Sequence, residues 1–236
     1  PTAIEELADL VSATRAGSVH RPTGTRRSHP VVVVGISGPI ASGKSTLAAE
    51  LAAVLDARHR LVAAVVSADG FLFPNDVLVA RGTDGLKGWP ETYDSAAIVA
   101  FLRRVRAGDA GVVAPVYSHL DYDVVAGTEP IGMVDVVVVE GVVVLQPGVA
   151  DELDLGVYID VEAEDLRRWY VERFVALVAE LPDGSSSILS LFRGLDEDPL
   201  REAAVGVWEA MNVPNNLGNI EPTRSRADVV VALDGD

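Results

Sequence analysis

Short apolar runs recur along the chain from residue 31 onward, separated by longer segments of mixed polarity. Within these runs apolar residues follow one another without alternation, which is typical of central parallel strands covered on both faces. The pattern predicts strands at 31–35, 61–67, 134–139, 155–160 and 227–233. Because helical segments alternate with these strands, we predict a three-layer, doubly wound α/β fold with a mostly parallel sheet.

Apolar residues at helical spacing predict helices at 44–56, 95–106, 163–180 and 199–211, and a short one at 4–15. Residues 16–30 lack this spacing and contain glycine and proline, so we predict a loop there. The chain is therefore expected to divide into an N-terminal helix and linker at 1–30 and a single domain at 31–236. His20, His29 and His59 match no motif, and we predict no functional role for them.

The composition argues against several classes of protein. Acidic residues outnumber basic ones by 35 to 19, and the formal net charge is −16. An acidic surface repels phosphate backbones, so we expect no nucleic-acid partner. No apolar run reaches the roughly 20 residues of a membrane span, and the acidic, amphipathic N-terminal segment is unlike a signal or transit peptide. The chain has no cysteine, which suits the cytoplasm, and we expect a cytoplasmic protein without membrane contact.

A glycine-rich loop lies directly after the first predicted strand. Residues 38–45, GPIASGKS, fit the pattern G-x-x-x-x-G-K-S/T, with a predicted helix following. Glycines let backbone N–H groups approach phosphate oxygens. Lys44 adds positive charge at the β and γ phosphates, and Ser45 offers a hydroxyl to Mg²⁺. We therefore predict a P-loop kinase or hydrolase fold that binds a nucleoside triphosphate, with Mg²⁺, through Gly38, Ala41, Ser42, Gly43, Lys44, Ser45 and Thr46.

Two acidic residues follow predicted strands. In an open α/β sheet the carboxyl ends of neighbouring strands meet at one crevice. Asp69 is expected to lie there, across from the phosphate loop, where a carboxylate can accept the proton of an acceptor hydroxyl. An aspartate before a glycine is also common at the start of a turn, and that alternative stays open. Glu140 is expected to hold Mg²⁺ or its water shell, with a solvated strand-end glutamate as the alternative.

Two classes of phosphate-binding protein lack support in the sequence. GTPase switches carry an Asn-Lys-x-Asp segment that reads guanine, and the chain contains none. Motor-type ATPases usually end the acidic strand in Asp-Glu, whereas this strand ends in Glu-Gly. Both observations favour phosphoryl transfer to a small molecule.

Several segments together resemble the bacterial type I pantothenate kinases, which belong to the same broad group as uridine kinase and phosphoribulokinase. The segments are SADGFLFPNDVL, KGWPETYD, APVYSHLDYD, VVVVEGVVVLQP, WYVERF and NIEPTRSRADVVV. They occur in consistent order over roughly residues 31–180 and 200–233. The resemblance implies an ATP- and Mg²⁺-dependent kinase that phosphorylates the primary hydroxyl of pantothenate, the first step of coenzyme A synthesis. It also implies a homodimer.

The resemblance assigns roles to individual residues. Asp69 would be the general base, and Lys44 and Arg173 would stabilise charge on the transferring phosphoryl group. The acceptor would be bound by Lys87, His119, Tyr122, Tyr170, Arg173 and Asn219. Tyr170 and Arg173 are three apart on a predicted helix and share a face. His119 and Tyr122 lie after Pro115 in a segment that we predict to be irregular.

The region after WYVERF departs from these kinases, which carry an aromatic and histidine-rich stretch there. In this chain, residues 175–199 contain Phe192 as their only aromatic side chain. We expect a lid at about 163–198 that differs from that of the family. Two alternatives therefore stay open: a kinase of the same group acting on a nucleoside or a sugar, and a nucleotide-binding regulator without transfer activity.

Overall fold

A parallel sheet forms the centre of the fold in the computed structural model, which describes residues 2–18, 31–185 and 187–234. The strands are β1 (Val32–Ser37), β2 (Ala63–Ser67), β3 (Val113–Ser118), β4 (Asp123–Pro130), β5 (Val136–Glu140), β6 (Leu155–Asp160) and β7 (Val229–Ala232). Five of them pair in the order β2-β5-β1-β6-β7, and every pairing in this sheet is parallel. The predicted doubly wound α/β fold is confirmed.

Helices connect the parallel strands. They are α1 (Ala3–Ser18), α2 (Lys44–His59), α3 (Asn75–Arg81), α4 (Ser95–Ala107), α5 (Ala163–Glu180) and α6 (Glu197–Val207). The prediction of one regular helix over 199–211 is wrong at its C-terminal end. There the chain continues in wide π-helical turns at Trp208–Asn212 and Asn216–Ile220, which hydrophobic spacing does not distinguish from an α-helix.

The central strands are apolar throughout because both of their faces are covered. Every residue of β1 and β5 is buried. Successive side chains of a strand point to opposite faces, so Val32 and Ile36 pack in a cluster with α1 and α2, whereas Val33 packs in a cluster with α4. Burying one valine side chain contributes on the order of 1.5–3 kcal/mol, so this double burial accounts for much of the stability of the sheet.

The N-terminal segment forms the predicted helix, but residues 16–18, predicted as part of a loop, belong to it as well. Helix α1 extends to Ser18, three residues beyond its predicted end, and Leu7, Ala8 and Val11 of its apolar stripe are buried. The rest of the predicted linker, residues 19–30 with His20 and His29, lies outside the described residues. In the part of the chain that is described, no helix combines the length and apolarity that crossing a membrane requires.

The segment after Pro115 is a β-hairpin. The prediction of irregular structure is wrong for its two strands, whereas His119 and Tyr122 lie in the turn between them. Strands β3 and β4 pair antiparallel, with a register shift between Pro115 and Val116. A proline in each strand and the exposed second half of β4 weaken the strand pattern in the sequence. The hairpin rests on the turn that follows β2: a Cβ atom placed on Gly70 would lie 2.2 Å from the carbonyl oxygen of Pro115.

A third apolar cluster lies outside the two sheet-covering layers. It joins Phe174 of α5 and Leu200 of α6 to Leu189, which lies in a short 3₁₀ segment between these helices. The rings of Phe174 and Phe192 meet edge to face with centroids 5.0 Å apart. This cluster overlaps the region predicted as a lid and extends beyond its predicted end to Leu200 and Ala204 of α6.

Replacing Gly70 by alanine tests the contact between the hairpin and the turn. The added methyl group would overlap the Pro115 carbonyl, so we expect Gly70→Ala to lower the free energy of unfolding by about 1–3 kcal/mol. Urea denaturation measures the change. Gly127→Ala is the matched control, because a Cβ atom at Gly127 meets nothing within 4 Å. Equal midpoints for the two variants would show that the hairpin does not press on the turn.

Candidate active site

The phosphate-binding loop connects β1 to α2 and is tightly packed. Gly43, the N-cap of α2, has φ 81°, and Ala41 has φ 67°, both in the left-handed region. A Cβ atom on Gly38 would lie 2.8 Å from the carbonyl oxygen of Ile159. The Ser42 hydroxyl is buried and has no hydrogen-bond partner among the described residues. A helix N-terminus behind a glycine turn presents free N–H groups, so this loop is suited to cradle an anion.

Lys44 folds back over the loop. Its Nζ donates hydrogen bonds to the carbonyl oxygens of Gly38, at 3.2 Å, and Pro39, at 2.7 Å. Burial lowers the pKa of Lys44 to about 8, although the negative charges of Glu140 and Asp69 act in the opposite direction. The Lys44 ammonium group is therefore poorly solvated, and a bound phosphate would supply the countercharge that it lacks.

Ser45 and Glu140 form the oxygen-rich side of the loop. The Ser45 hydroxyl donates to Oε1 of Glu140 at 3.1 Å. Glu140 ends β5 and is only 6% exposed, and this burial raises the pKa of its carboxyl group. Hydroxyl and carboxylate oxygens are the ligands that Mg²⁺ prefers, and Mg²⁺ keeps several waters and phosphate oxygens as its remaining ligands. These two residues therefore fit Mg²⁺, even though the described residues contain no cluster of three or more histidine or acidic side chains. Thr46 follows on the exposed face of α2.

Asp69 lies just beyond the end of β2, in a 3₁₀ turn over Ala68–Phe71. The two predictions for this residue are compatible, because the turn itself carries the carboxylate to the edge of the sheet. Ser67 accepts a hydrogen bond from the Asp69 backbone N–H at 3.3 Å and is the register partner of Glu140. Oδ1 of Asp69 accepts a hydrogen bond from the Tyr93 hydroxyl at 2.8 Å, a contact that the sequence did not predict.

Lys87 lies among aromatic and amide groups near Asp69. Its Nζ donates to Oδ1 of Asn75 and, at 2.6 Å, to the carbonyl oxygen of Tyr122. The same Nζ lies 4.5 Å from the ring centroid of Tyr122 and 5.1 Å from that of Tyr117. Burial lowers the pKa of Lys87 to about 8, and Asp69 is one of the two charges that oppose this shift. Tyr122 has φ 54°, so the hairpin turn bends sharply at this position.

His119 and Arg173 join the hairpin turn to α5. The Arg173 guanidinium and Nε2 of His119 are 3.2 Å apart. Because arginine can only donate, Nε2 accepts, which requires a neutral imidazole. The pKa of His119 is lowered, first by burial and then by the charge of Arg173, in agreement with this arrangement. Tyr170, one turn earlier on α5, packs its ring against Trp208 with centroids 5.2 Å apart.

Asn219 belongs to an asparagine-rich segment, and the roles of its neighbours Asn215 and Asn216 were not predicted from the sequence. Its Nδ2 donates to Oδ1 of Asn215 at 3.0 Å, and Nδ2 of Asn215 donates to the carbonyl oxygen of Gly88 at 2.9 Å. The neighbouring Asn216 accepts a hydrogen bond from the backbone N–H of Ile40 in the phosphate loop, at 3.3 Å. Four asparagines within residues 212–219 are a signal that could have been used, because asparagine is a poor helix former.

The predicted site residues thus converge from separate parts of the chain. Asp69 is the common neighbour: burial lowers the pKa of Lys44 and of His119, and the charge of Asp69 opposes both shifts, whereas it adds to the rise that burial causes in the pKa of Tyr122. Asn219 reaches the Lys87 segment only through Asn215. The arrangement brings a phosphate-loop lysine, a carboxylate and several polar side chains close to one another. The chemical roles of the individual residues stay predictions.

Comparisons with known proteins show which proteins the chain is similar to. The chain matches the Phosphoribulokinase / Uridine kinase family over residues 33–173. The pantothenate kinase of Sorangium cellulosum is 43% identical over 222 residues, which cover 89% of this chain and 70% of that relative. The pantothenate kinase of Vibrio cholerae is 37% identical over 231 residues, which cover 92% of this chain and 74% of that relative. A solved structure from Silicibacter sp. TM1040, titled "putative fructose transport system kinase", has a TM-score of 0.75 at 25% identity, over 98% of this chain and 100% of that one.

Nucleotide binding should weaken as pH rises because of Lys44. Its pKa of about 8 means that the unliganded protein loses this ammonium charge as pH increases, whereas a bound triphosphate requires the charge. We expect the Kd for a nucleoside triphosphate, measured by calorimetry, to rise about tenfold between about pH 7 and about pH 9.

Two variants show whether Lys44 or Lys87 causes the pH dependence of the Kd, because burial lowers the pKa of both lysines to about 8. In Lys44→Arg the guanidinium group stays charged at every working pH, so the Kd should no longer depend on pH. In Lys87→Met the pH dependence of the Kd should remain. A flat profile in the unaltered protein would contradict the prediction.

Proposed function

The chain belongs to the phosphoribulokinase/uridine kinase family, and on this basis we infer that it is an ATP-dependent kinase that phosphorylates the primary hydroxyl of pantothenate. The observation that carries the choice of acceptor is the 37–43% identity to pantothenate kinases over most of the chain. The geometry supports a transferase, because the Asp69 carboxylate lies between a phosphate loop and a polar pocket.

In the proposed reaction, the acceptor hydroxyl oxygen forms a bond to the γ-phosphorus of ATP, and the bond from that phosphorus to the β–γ bridging oxygen breaks. ADP leaves with the electron pair, and the hydroxyl proton passes to Asp69. Lys44 and Arg173 stabilise the charge on the transferring group. Mg²⁺, held through Ser45 and Glu140, would neutralise phosphate charge when bound. Such sites act mainly through positioning and electrostatics.

The acceptor pocket of this proposal consists of groups contributed by the segment between α3 and α4, by the hairpin, by α5 and by the asparagine-rich segment. They are Lys87, His119, Tyr122, Tyr170, Arg173 and Asn219. The bonds from Lys87 to the Tyr122 carbonyl and between Arg173 and His119 hold these groups in place without a ligand. A pocket ordered in this way loses little side-chain entropy when the acceptor binds.

A sugar or a nucleoside is the alternative acceptor. The structural neighbour whose title names a fructose transport system matches almost the whole chain, at 25% identity. The predicted lid differs from that of the pantothenate kinases, since Phe192 is the only aromatic residue in 175–199, and this difference is compatible with a different acceptor. The identity to the pantothenate kinases is considerably higher, so pantothenate remains the first choice. A regulator without transfer activity fits less well, because Lys44, Asp69 and Arg173 are all present around one site.

An acceptor panel tests the proposal directly. ADP release is measured with pantothenate, uridine and fructose at equal concentration, and without an acceptor. Pantothenate should give the highest kcat/KM. A higher value for uridine or fructose would contradict the acceptor but keep the kinase assignment. ATP binding by calorimetry without acceptor-dependent ADP release would support the regulator.

We propose that the protein works in the cytoplasm, because ATP is supplied there and a chain without cysteine needs no oxidising compartment. A homodimer stays a prediction that rests on the resemblance.

Asp69→Asn should separate chemistry from binding. The amide keeps the size of the side chain but cannot accept the hydroxyl proton, so kcat should fall by about two to four orders of magnitude. The Kd for ATP should stay within about twofold, because Asp69 makes no hydrogen bond to the phosphate loop in the described structure. Asp56→Asn, on the exposed surface of α2, is the control and should keep the full kcat. Unchanged turnover in Asp69→Asn would remove Asp69 from the role of base.

The two neighbouring asparagines should affect different substrates. Asn215→Ala removes the hydrogen bonds of Asn215 to Asn219 and to the Gly88 carbonyl. The KM for pantothenate should therefore rise about tenfold, while the Kd for ATP should change little. Asn216→Ala removes the contact to the phosphate loop at Ile40 and should raise the Kd for ATP instead. Steady-state kinetics and calorimetry measure the two effects. Identical changes in both variants would argue for a general loss of structure in this segment.

A further inference from the structure

The hydroxyl group of Tyr93 lies against the proposed base. Tyr93 is 5% exposed and belongs to the apolar cluster under the sheet. A buried tyrosine hydroxyl requires a hydrogen-bond partner, and here the partner is Oδ1 of Asp69 at 2.8 Å. The tyrosine therefore directs its polar atom out of the core and onto the carboxylate that faces the site.

The backbone around Tyr93 is joined to the turn that carries Asp69. Tyr93 forms an isolated antiparallel bridge with Leu72, and the backbone N–H of Asp94 donates to the carbonyl oxygen of Phe71 at 2.8 Å. The Asp94 side chain then caps α4 by accepting from the backbone N–H of Ala97 at 2.8 Å. Tyr93 is thus held between a helix start and the turn, and its ring has little freedom to move relative to Asp69.

Tyr93 acts only as a hydrogen-bond donor. Burial, followed by the negative charge of Asp69, raises the pKa of Tyr93 well above its usual value. Its hydroxyl therefore keeps its proton at any pH at which a kinase works, and it takes no part in proton transfer. A donor that never ionises can hold one carboxylate oxygen throughout the reaction.

The second oxygen of Asp69 is free to react. Among the described residues, Oδ2 has no hydrogen-bond partner, whereas Oδ1 is taken by Tyr93. The terminal torsion of an aspartate is broad, so an unrestrained carboxylate turns easily. Given the proposed function, in which Asp69 is the base, we propose that Tyr93 is its positioning residue: the phenol holds Oδ1 so that Oδ2 receives the proton of the acceptor hydroxyl.

Tyr93→Phe removes the donor and keeps the ring. We expect kcat with pantothenate to fall about tenfold, because small errors in the placement of a base are costly. The KM for pantothenate and the Kd for ATP should stay within about twofold, since Tyr93 touches neither substrate in the proposed reaction. Tyr158→Phe is the matched control. Tyr158 in β6 is 2% exposed, and besides burial the charges that act on the pKa of its hydroxyl group include those of Asp160 and Arg224 but not that of Asp69. All rates are compared well below the unfolding transitions of the variants, so that lost stability does not enter kcat.

A double-mutant cycle shows whether Tyr93 acts through Asp69. In the Asp69→Asn background the carboxylate is absent, so adding Tyr93→Phe should lower the residual kcat by less than about twofold. A residue with a merely structural role would lower kcat by the same factor in both backgrounds. Additive losses would therefore overturn the inference, as would a kcat for Tyr93→Phe equal to that for Tyr158→Phe.

The outcomes separate this inference from the proposed function. No turnover of pantothenate by the unaltered protein would contradict the function itself. Full turnover in Asp69→Asn would contradict the role of the base and, with it, the role of Tyr93. Turnover that requires Asp69 but is indifferent to the Tyr93 hydroxyl would overturn only the inference about Tyr93.

Discussion

The parallel register of three neighbouring strands is the constraint on which the site depends. Ile36 of β1 and Ser67 of β2 are both register partners of Glu140, the last residue of β5. Parallel pairing forces the carboxyl ends of these strands to the same edge. The phosphate loop, the proposed Mg²⁺ ligand and the turn with Asp69 therefore emerge side by side, although they are far apart in sequence. A slip of one residue in any pair would turn these side chains to the other face of the sheet.

Two buried lysines give the site a local positive charge at neutral pH, although the protein as a whole is acidic. The chain has a net charge of −16, yet Lys44 and Lys87 both lie close enough to Asp69 to interact with its charge, and burial lowers the pKa of each to about 8. A poorly solvated ammonium group binds an anion more strongly than a surface lysine does, because less water has to be displaced. Local desolvation therefore overrides the overall acidity, and an acidic protein can bind a triphosphate.

The half of the site that binds phosphate could be predicted from the sequence because it is local. A strand, a glycine loop and a helix follow one another in residues 32–59, and the hydrophobic run of β5 ends at Glu140. The sheet was predictable for the same reason, since double burial leaves continuous apolar runs. The contact of Tyr93 with Asp69 was not predictable, because a tyrosine just before a helix cap has the pattern of a core residue. In the structure, the bridge to Leu72 holds Tyr93 where its hydroxyl group donates to Asp69.

The part of the site that we propose to bind the acceptor was harder to predict, because contacts between distant parts of the chain form it. The prolines and exposed residues of the hairpin weaken the strand pattern in its sequence. Its position depends on the close approach of Pro115 to Gly70, which has no side chain to prevent it. The asparagines of residues 212–219 lie in two π-helical turns and in the short α-helical turn between them, an arrangement that hydrophobic spacing does not reveal. Both elements also contact parts of the phosphate-binding half, at the turn with Asp69 and at Ile40. The proposed acceptor pocket is therefore in direct contact with the nucleotide site. A change of acceptor could arise in the hairpin, α5 or the asparagine segment while the sheet and the phosphate loop stay the same.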